Sequence, residues 1–131
     1  AANTIAEYLV RHNIDTEAFG ICNSACAHIF LGGRTRTLLP DAKLGFHRTW
    51  LNKERAKKRY ATARVEKGWK DEFDYAEVLY DSAMTSMLYD IKFMLSRGVD
   101  LEFILKVFST DSFDIWHPSR GELIAAGILI E

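Results

Sequence analysis

The sequence predicts an α/β fold, and three observations support that prediction. The 131 residues are 48% hydrophobic, which is enough to build the core of one domain. Residues 16–47 alternate between β-prone apolar runs and an unbroken apolar helical run, in the order strand, helix, strand. That order is typical of a crossover between parallel strands. Helical spacing of apolar residues recurs in residues 1–13 and 75–108.

Composition argues against several classes of function. The chain has 17 Lys and Arg against 18 Asp and Glu, for a net charge of −1. No global field therefore attracts nucleic acid or an anionic membrane surface. No apolar run reaches the length that spans a bilayer, and no cationic segment precedes a signal-like apolar stretch within these residues. We expect a globular domain with no nucleic-acid partner and no membrane span.

The first three elements follow from local patterning. Residues 16–22 are rich in β-formers between polar flanks, so we expect one buried strand there. Residues 24–31 are apolar and end at Gly32 and Gly33, as expected for a helix packed on a sheet. Before them, residues 1–13 predict an amphipathic helix, whose apolar stripe comprises Ile5, Tyr8, Leu9 and His12.

Two further strands complete the predicted sheet. Residues 34–39 alternate Arg and Thr before two leucines, which fits a half-exposed strand, and Pro40 with Asp41 makes a turn. Residues 43–47 then form a second core strand that ends at His47. Because open α/β sheets hold their sites at the carboxyl ends of strands, Cys22 and His47 should emerge at one edge.

The second half of the chain is predicted to be mainly helical. Residues 50–74 are the most charged part, and we interpret them as a solvated helix or a lid, with an anion-binding surface as the alternative. Residues 75–98 form the longest helix. Its stripe suits a core or a subunit interface and comprises Tyr80, Ala83, Met84, Met87, Leu88, Ile91, Met94 and Leu95.

The chain closes with two shorter predicted helices. One runs from Val99 or Asp100 through Phe108, and residues 110–116 that follow are expected to be extended. Ser119 and Glu122 match a capping box, so a last helix should run to Ala126 and stop at Gly127. No internal repeat is present, and we predict one domain over residues 1–131.

Ser24 is the candidate nucleophile. It lies at the predicted junction of a strand and a helix, where unpaired backbone amides could stabilise an oxyanion. The competing interpretation is a simple helix N-cap, which is the usual role of a serine at this position.

His47 is the candidate base, because the predicted crossover brings it to the edge where Ser24 lies. His28, one helical turn beyond Ser24, is a competitor that should point into the packing. For the carboxylate that orients the imidazole, the candidates are Asp114, which we prefer, and Asp111.

Cys22 and Cys26 bracket the serine, and several roles are open to them. They could be two small buried hydrophobic residues, a disulfide one helical turn apart, or, as a minor alternative, a thiol nucleophile. A metal site is disfavoured because zinc sites usually use closer cysteine pairs and a second ligand pair.

Three segments together resemble a known family. Residues 20–27, GICNSACA, resemble the nucleophile turn of ClpP-type serine peptidases, with a glycine, three residues, the serine and then small residues opening a helix. Residues 39–48, LPDAKLGFHR, resemble that family's strand ending in the catalytic histidine, and residues 119–128 are similar to its closing helix. The paired cysteines and LGFHR are closer still to a bacterial branch of ClpP-related proteins expected to be periplasmic.

The resemblance implies a fold of stacked ββα units, shared with the crotonase superfamily, with further strands and a Gly-rich loop upstream of Ala1. It also implies a triad of Ser24, His47 and an aspartate, with the amide of Ala25 as the matched oxyanion donor. Counting back from the capping box places Ile115 at the family's aspartate, so Asp114 fits with a shift of one residue. The likeness favours the disulfide and a periplasmic or exported location, with the cytoplasm as the alternative.

We therefore expect a serine hydrolase, a peptidase acting on peptide or protein substrates without a cofactor or metal. ClpP relatives assemble into rings through their long helix, so a homo-oligomer is also expected. Two alternatives are a non-catalytic ClpP-like assembly or binding module and a crotonase-type acyl-CoA enzyme.

Overall fold

The computed structural model describes residues 1–131 and contains ten regular elements. The helices are α1 (Ala2–Arg11), α2 (Ala25–Leu31), α3 (Lys53–Lys67), α4 (Glu72–Ser96), α5 (Leu101–Ser109) and α6 (Arg120–Ala125). The strands are β1 (Thr16–Ala18), β2 (Ile21–Asn23), β3 (Arg36–Leu38) and β4 (Lys43–Gly45). The predicted α/β class is confirmed. The chain divides into two units, Ala1–Arg48 with Phe93–Glu131, and Thr49–Lys92.

All four strands lie in the first unit and form two parallel pairs. β1 pairs with β3, and β2 pairs with β4 in a register that sets Cys22 opposite Leu44 and Asn23 opposite Gly45. The predicted meeting of two carboxyl strand ends at one edge is therefore confirmed. The single strand predicted over residues 16–22 is wrong, because Gly20 adopts a φ of 61° and separates β1 from β2.

The core of the first unit is formed by buried side chains of α2, β4, α5, α6 and the segment that follows α6. Its largest fully buried apolar side chains are Leu31, Leu44, Ile104, Leu123 and Ile128. The face predicted for α1 is wrong in part: Ile5 and Tyr8 are about half exposed, whereas Ala6 is fully buried. A Cβ at Gly32 would lie 2.6 Å from the Ala6 carbonyl oxygen, so α1 approaches α2 through these two small residues.

The half-exposed strand predicted over residues 34–39 is wrong at Arg36, because the side chain of Arg36 is fully buried. Its guanidinium donates to the carbonyl oxygens of Leu31, Arg97 and Gly127 at 3.2, 3.1 and 2.9 Å. Burial, together with the nearby charge of Arg97, lowers its pKa to about 10. Arg36 thus joins the end of α2 to the two chain segments that follow α4 and α6.

The two closing helices agree with their predicted start signals. Asp100 caps α5 by accepting from the Phe103 amide, and Ser119 with Glu122 forms the predicted capping box of α6. After α6, Gly127 adopts a φ of 74° and the chain returns to pair Ile130 with Arg36 in an antiparallel bridge.

The second unit comprises α3 and most of α4. Asn52 caps α3, and Gly68 ends it in the left-handed conformation. Tyr60, Trp69 and Tyr75 form an aromatic cluster, in which the Trp69 and Tyr75 ring centroids lie 4.6 Å apart. The predicted lid or solvated helix over residues 50–74 therefore contains an ordered helix, and its function as a lid stays a prediction.

α4 exposes most of the stripe that its sequence periodicity defines. Tyr80, Met84 and Leu88 are 68%, 49% and 51% exposed, whereas Phe93 and Met94 are buried in the first unit. A core role for the middle of this stripe is therefore wrong. None of the helices combines the length and the apolar character that crossing a membrane would require.

Candidate active site

Ser24 occupies a sharp turn between β2 and α2. Its backbone has φ 57° and ψ −115°, the conformation of the first central residue of a type II′ turn, which favours glycine. Such strain in a residue other than glycine clusters at functional sites, and a strained serine between a strand and a helix is the arrangement of a nucleophile elbow. The Ser24 side chain is exposed and makes no capping hydrogen bond, so the interpretation of Ser24 as a simple N-cap is not supported.

Backbone hydrogen bonds hold this turn on both sides. The Ser24 amide donates to the Gly45 carbonyl of β4 at 2.8 Å, and the His28 amide donates to the Ser24 carbonyl at 3.0 Å. His28 is the first residue of α2 to make such a bond, which leaves the amide of Ala25 at the open start of the helix. This is the amide that the resemblance implies as an oxyanion donor.

A disulfide joins Cys22 to Cys26 across the turn, with a Cα to Cα distance of 5.2 Å. The disulfide alternative is confirmed, and the chain has no free cysteine to act as a thiol nucleophile. No group of three or more His, Cys, Asp or Glu side chains has a geometry suited to a metal ion. The bond fixes the residues two positions before and two positions after Ser24.

His47 lies two residues beyond Gly45, just past the end of β4. Its Nδ1 donates to the backbone carbonyl of Arg48 at 2.7 Å, since a carbonyl oxygen only accepts. In the neutral imidazole this leaves the lone pair on Nε2, the tautomer that a general base requires. The structure brings Ser24 and His47 to one edge without a hydrogen bond between their side chains.

The two candidate acids flank a turn, so the predicted extended conformation of residues 110–116 is wrong for residues 112–114, whereas Thr110 is extended. The Asp111 carboxylate accepts from the Phe113 amide, and the Asp114 amide donates to the Asp111 carbonyl at 3.0 Å. This local side-chain bond competes with strand pairing. Asp111 also pairs with Arg48 at 3.3 Å, and the hydrogen bond of the His47 Nδ1 goes to the Arg48 carbonyl rather than to either carboxylate.

His117 is the residue of this edge that the sequence did not reveal. Its Nε2 donates to the Oδ1 of Asn23, the residue directly before Ser24, at 3.0 Å. Trp116 pairs with Phe46 through two hydrogen bonds of 2.9 Å, which fixes the segment that carries His117. Gly45 was the available signal, because a glycine inside a strand often marks the close approach of another group.

The other two histidines lie apart from this edge. The His28 ring packs on Phe93 at 4.6 Å, in agreement with its predicted direction into the packing. The His12 ring stacks on Tyr8 at 4.2 Å.

An apolar groove adjoins the disulfide. Phe19 and Ile21 are 78% and 72% exposed along it, and Ile29 of α2 forms part of its wall. Cys22 and Cys26 are also among its lining residues, so the groove adjoins the turn that carries Ser24. Its apolar lining could receive an apolar side chain of a ligand.

A scan of the chain against protein-family models finds no match, and a search of curated proteins finds no significant match. The likeness to ClpP-type peptidases thus stays a likeness of short motifs.

Proposed function

We propose that the protein is a serine hydrolase of ClpP-like type, with Ser24 as the nucleophile. The observation that carries this proposal is the strained turn at Ser24, with φ 57° and ψ −115°, combined with a hydroxyl that makes no capping bond. A serine whose only role was to cap α2 would adopt extended backbone and accept from an amide of the first turn. Because Ser24 is strained and makes no capping bond, a catalytic role explains its conformation better than a structural role does.

The proposed chemistry proceeds through an acyl-enzyme. Ser24 Oγ attacks the substrate carbonyl while His47 Nε2 takes the hydroxyl proton, and the amide of Ala25 donates to the developing oxyanion. His47 then returns the proton to the leaving group, and water repeats the sequence to release the acid. A movement of the His47 side chain or the Ser24 hydroxyl has to close the hydrogen bond between them, as is common when substrate binds.

The sequence favours Asp114 as the acid, but the contacts of the folded chain favour Asp111, which we propose as the acid with Asp114 as the alternative. Of the two, Asp111 is connected to the imidazole, because it pairs with Arg48, whose carbonyl accepts from His47 Nδ1. A backbone carbonyl at Nδ1 fixes the same tautomer that a carboxylate would fix. The carboxylate would then act by orienting this segment.

A peptide or protein is the proposed substrate class. The motif resemblance supports it, and so does the apolar groove beside Cys22 and Cys26, which could hold a side chain next to the reacting carbonyl. No step requires a cofactor. The disulfide supports an exported, oxidising location such as the periplasm.

A fluorophosphonate probe, which labels activated serines, tests the proposal. We expect the wild type to be labelled, Ser24→Ala to lose the label, and Ser86→Ala, which removes an exposed serine of α4, to keep it. Equal labelling of wild type and Ser24→Ala would exclude Ser24 as the nucleophile. Circular dichroism of each variant verifies that the loss does not arise from unfolding.

The second candidate is a ClpP-like binding or assembly module without catalysis. The observation that favours it is the hydrogen bond of His47 to the Arg48 carbonyl, with no bond from His47 to Ser24 or to a carboxylate. This candidate predicts that a folded wild type is not labelled by the probe at any concentration.

A further inference from the structure

Asn23 and His117 make a side-chain hydrogen bond directly beside the candidate nucleophile. The bond joins the residue before Ser24 to the segment before α6, which is 94 positions away in sequence, at 3.0 Å. An amide oxygen accepts only, so His117 Nε2 carries the proton. The bond therefore ties one side of the turn to a remote and separately anchored part of the chain.

Gly45 makes this bond sterically possible. Gly45 pairs with Asn23 in the parallel ladder of β2 and β4. The next residue of its strand, Phe46, pairs with Trp116, which directly precedes His117. A Cβ at position 45 would stand 2.1 Å from Asn23 Oδ1 and 2.6 Å from the Ile115 side chain. Any larger residue at position 45 would displace the Asn23 amide from its place over the strand.

Several contacts hold the segment that carries His117. Trp116 exchanges two hydrogen bonds with Phe46, the Phe46 and Trp116 rings pack on Phe103 of α5, and Pro118 is buried. His117 itself is exposed, so its imidazole contributes to this contact more than to the core. The arrangement fits a side chain that holds Asn23 in place.

We propose that His117 is a positioning residue for Ser24, an inference that rests on the proposed serine hydrolase function. It acts through Asn23. A strained backbone conformation persists only where its neighbours fix it. The disulfide fixes Cys22 and Cys26, while the hydrogen bond from His117 fixes Asn23, so the backbone of Ser24 is held at its reactive geometry.

Labelling kinetics with the fluorophosphonate probe test this role. His117→Ala should slow the labelling step at saturating probe by roughly 10- to 100-fold, as expected when a reacting group shifts by about 1 Å. The probe concentration for half-maximal rate should stay the same, because a positioning role affects the reacting group and not the binding of the probe. The thermal midpoint should also change little, since the side chain is exposed.

Three further variants separate positioning from a general structural role. His117→Gln, whose side-chain amide can donate to Asn23 Oδ1 from a similar distance, should recover most of the rate. Asn23→Ala should be as slow as His117→Ala, and the double variant no slower than either, because both changes remove the same bond. His12→Ala, which changes the exposed histidine that follows α1, is the matched control and should label as the wild type does.

The outcomes distinguish this inference from the proposed function. If the wild type is labelled at Ser24 and His117→Ala is labelled at the same rate, the positioning role is wrong and the hydrolase stands. Failure of His117→Gln to recover the rate, or additive losses in the double variant, also overturns the role. A folded wild type without labelling overturns both proposals.

Discussion

At the scale of single residues, Ser24 differs from the other residues with positive φ. Asn13 and Asp41 have φ values of 52° and 64° and belong to the residue types that tolerate the left-handed region. Ser24 has a ψ of −115°, outside that region, where a Cβ is disfavoured. The protein therefore carries a local backbone cost at the residue proposed to react.

This strain predicts that glycine at position 24 is more stabilising than alanine, the reverse of their usual order within helices and strands. Ser24→Gly should have a higher free energy of unfolding than Ser24→Ala, by about 1 kcal/mol, because glycine adopts this turn without strain. Chemical denaturation of the two variants measures the difference. Neither variant has the hydroxyl, so loss of a hydrogen bond cannot explain it. Equal stability, or a more stable alanine variant, would mean that the turn is not strained.

The two candidate acids can be separated by their contacts. Asp111→Ala should slow fluorophosphonate labelling by up to about fivefold, as expected for the loss of an exposed ion pair that fixes Arg48. Asp114→Ala, the matched change three residues later, should slow it less. A larger loss in Asp114→Ala would identify Asp114 as the acid that orients His47 in the reacting state.

At the scale of elements, local sequence signals predicted α2, α5 and α6 well, because caps and stops act within a few residues. The break at Gly20 and the burial of Arg36 could not be predicted in this way. Both depend on which strands pair and on which carbonyls converge around the guanidinium, and these are properties of the assembled chain. The bond between Asn23 and His117 joins residues 94 positions apart, so local patterns did not reveal it.

An exposed ion pair links the chain just before β1 to the chain just before β3. Arg34 donates to both carboxylate oxygens of Asp15, and the Thr35 amide donates a further bond. These bonds hold the pKa of Asp15 well below its usual value. The unfolded chain binds this proton more tightly than the folded chain, so the contribution to stability is complete at neutral pH and declines in acid.

Asp15→Asn should therefore lower the thermal midpoint at pH 7, and its difference from the wild type should narrow as the pH falls from about 4 towards 2. Thermal unfolding followed by circular dichroism across that range measures the difference. Glu17→Gln, an exposed neighbour in β1, is the control and should show no such convergence. A constant difference between Asp15→Asn and the wild type would contradict the assigned cause.

At the scale of the whole molecule, we propose that the chain self-associates through the exposed face of α4. Tyr80, Met84 and Leu88 form an apolar row at helical spacing on a long helix, and each is about half exposed or more. The motif resemblance also implies assembly through the long helix. An apolar helix face of this kind is typical of subunit interfaces.

We expect the protein to be a homo-oligomer at micromolar concentration, as measured by light scattering coupled to size-exclusion chromatography. Met84→Lys with Leu88→Lys should shift it to the monomer, because two charges would be buried at the interface. Thr85→Lys, on the same helix at an already polar position, should leave the oligomer intact. A monomeric wild type across the concentration range would contradict this assembly.

The sequence predicts the placement of the site in the fold better than it predicts the contacts within the site. The crossover pattern placed Ser24 and His47 at one edge, since adjacent parallel strands expose their carboxyl ends together. The conformation of Ser24, the tautomer of His47 and the role of Asn23 depend on side-chain and backbone contacts formed only in the folded chain. Those contacts separate a possible nucleophile from a capping serine.

Mass-spectrometric mapping of the fluorophosphonate adduct on the folded wild-type protein tests the central claim most directly. We predict one adduct per chain, located by fragmentation on Ser24 between the two disulfide-bonded cysteines. An adduct on another residue, or a folded protein without an adduct, would contradict the assignment of Ser24 as the nucleophile.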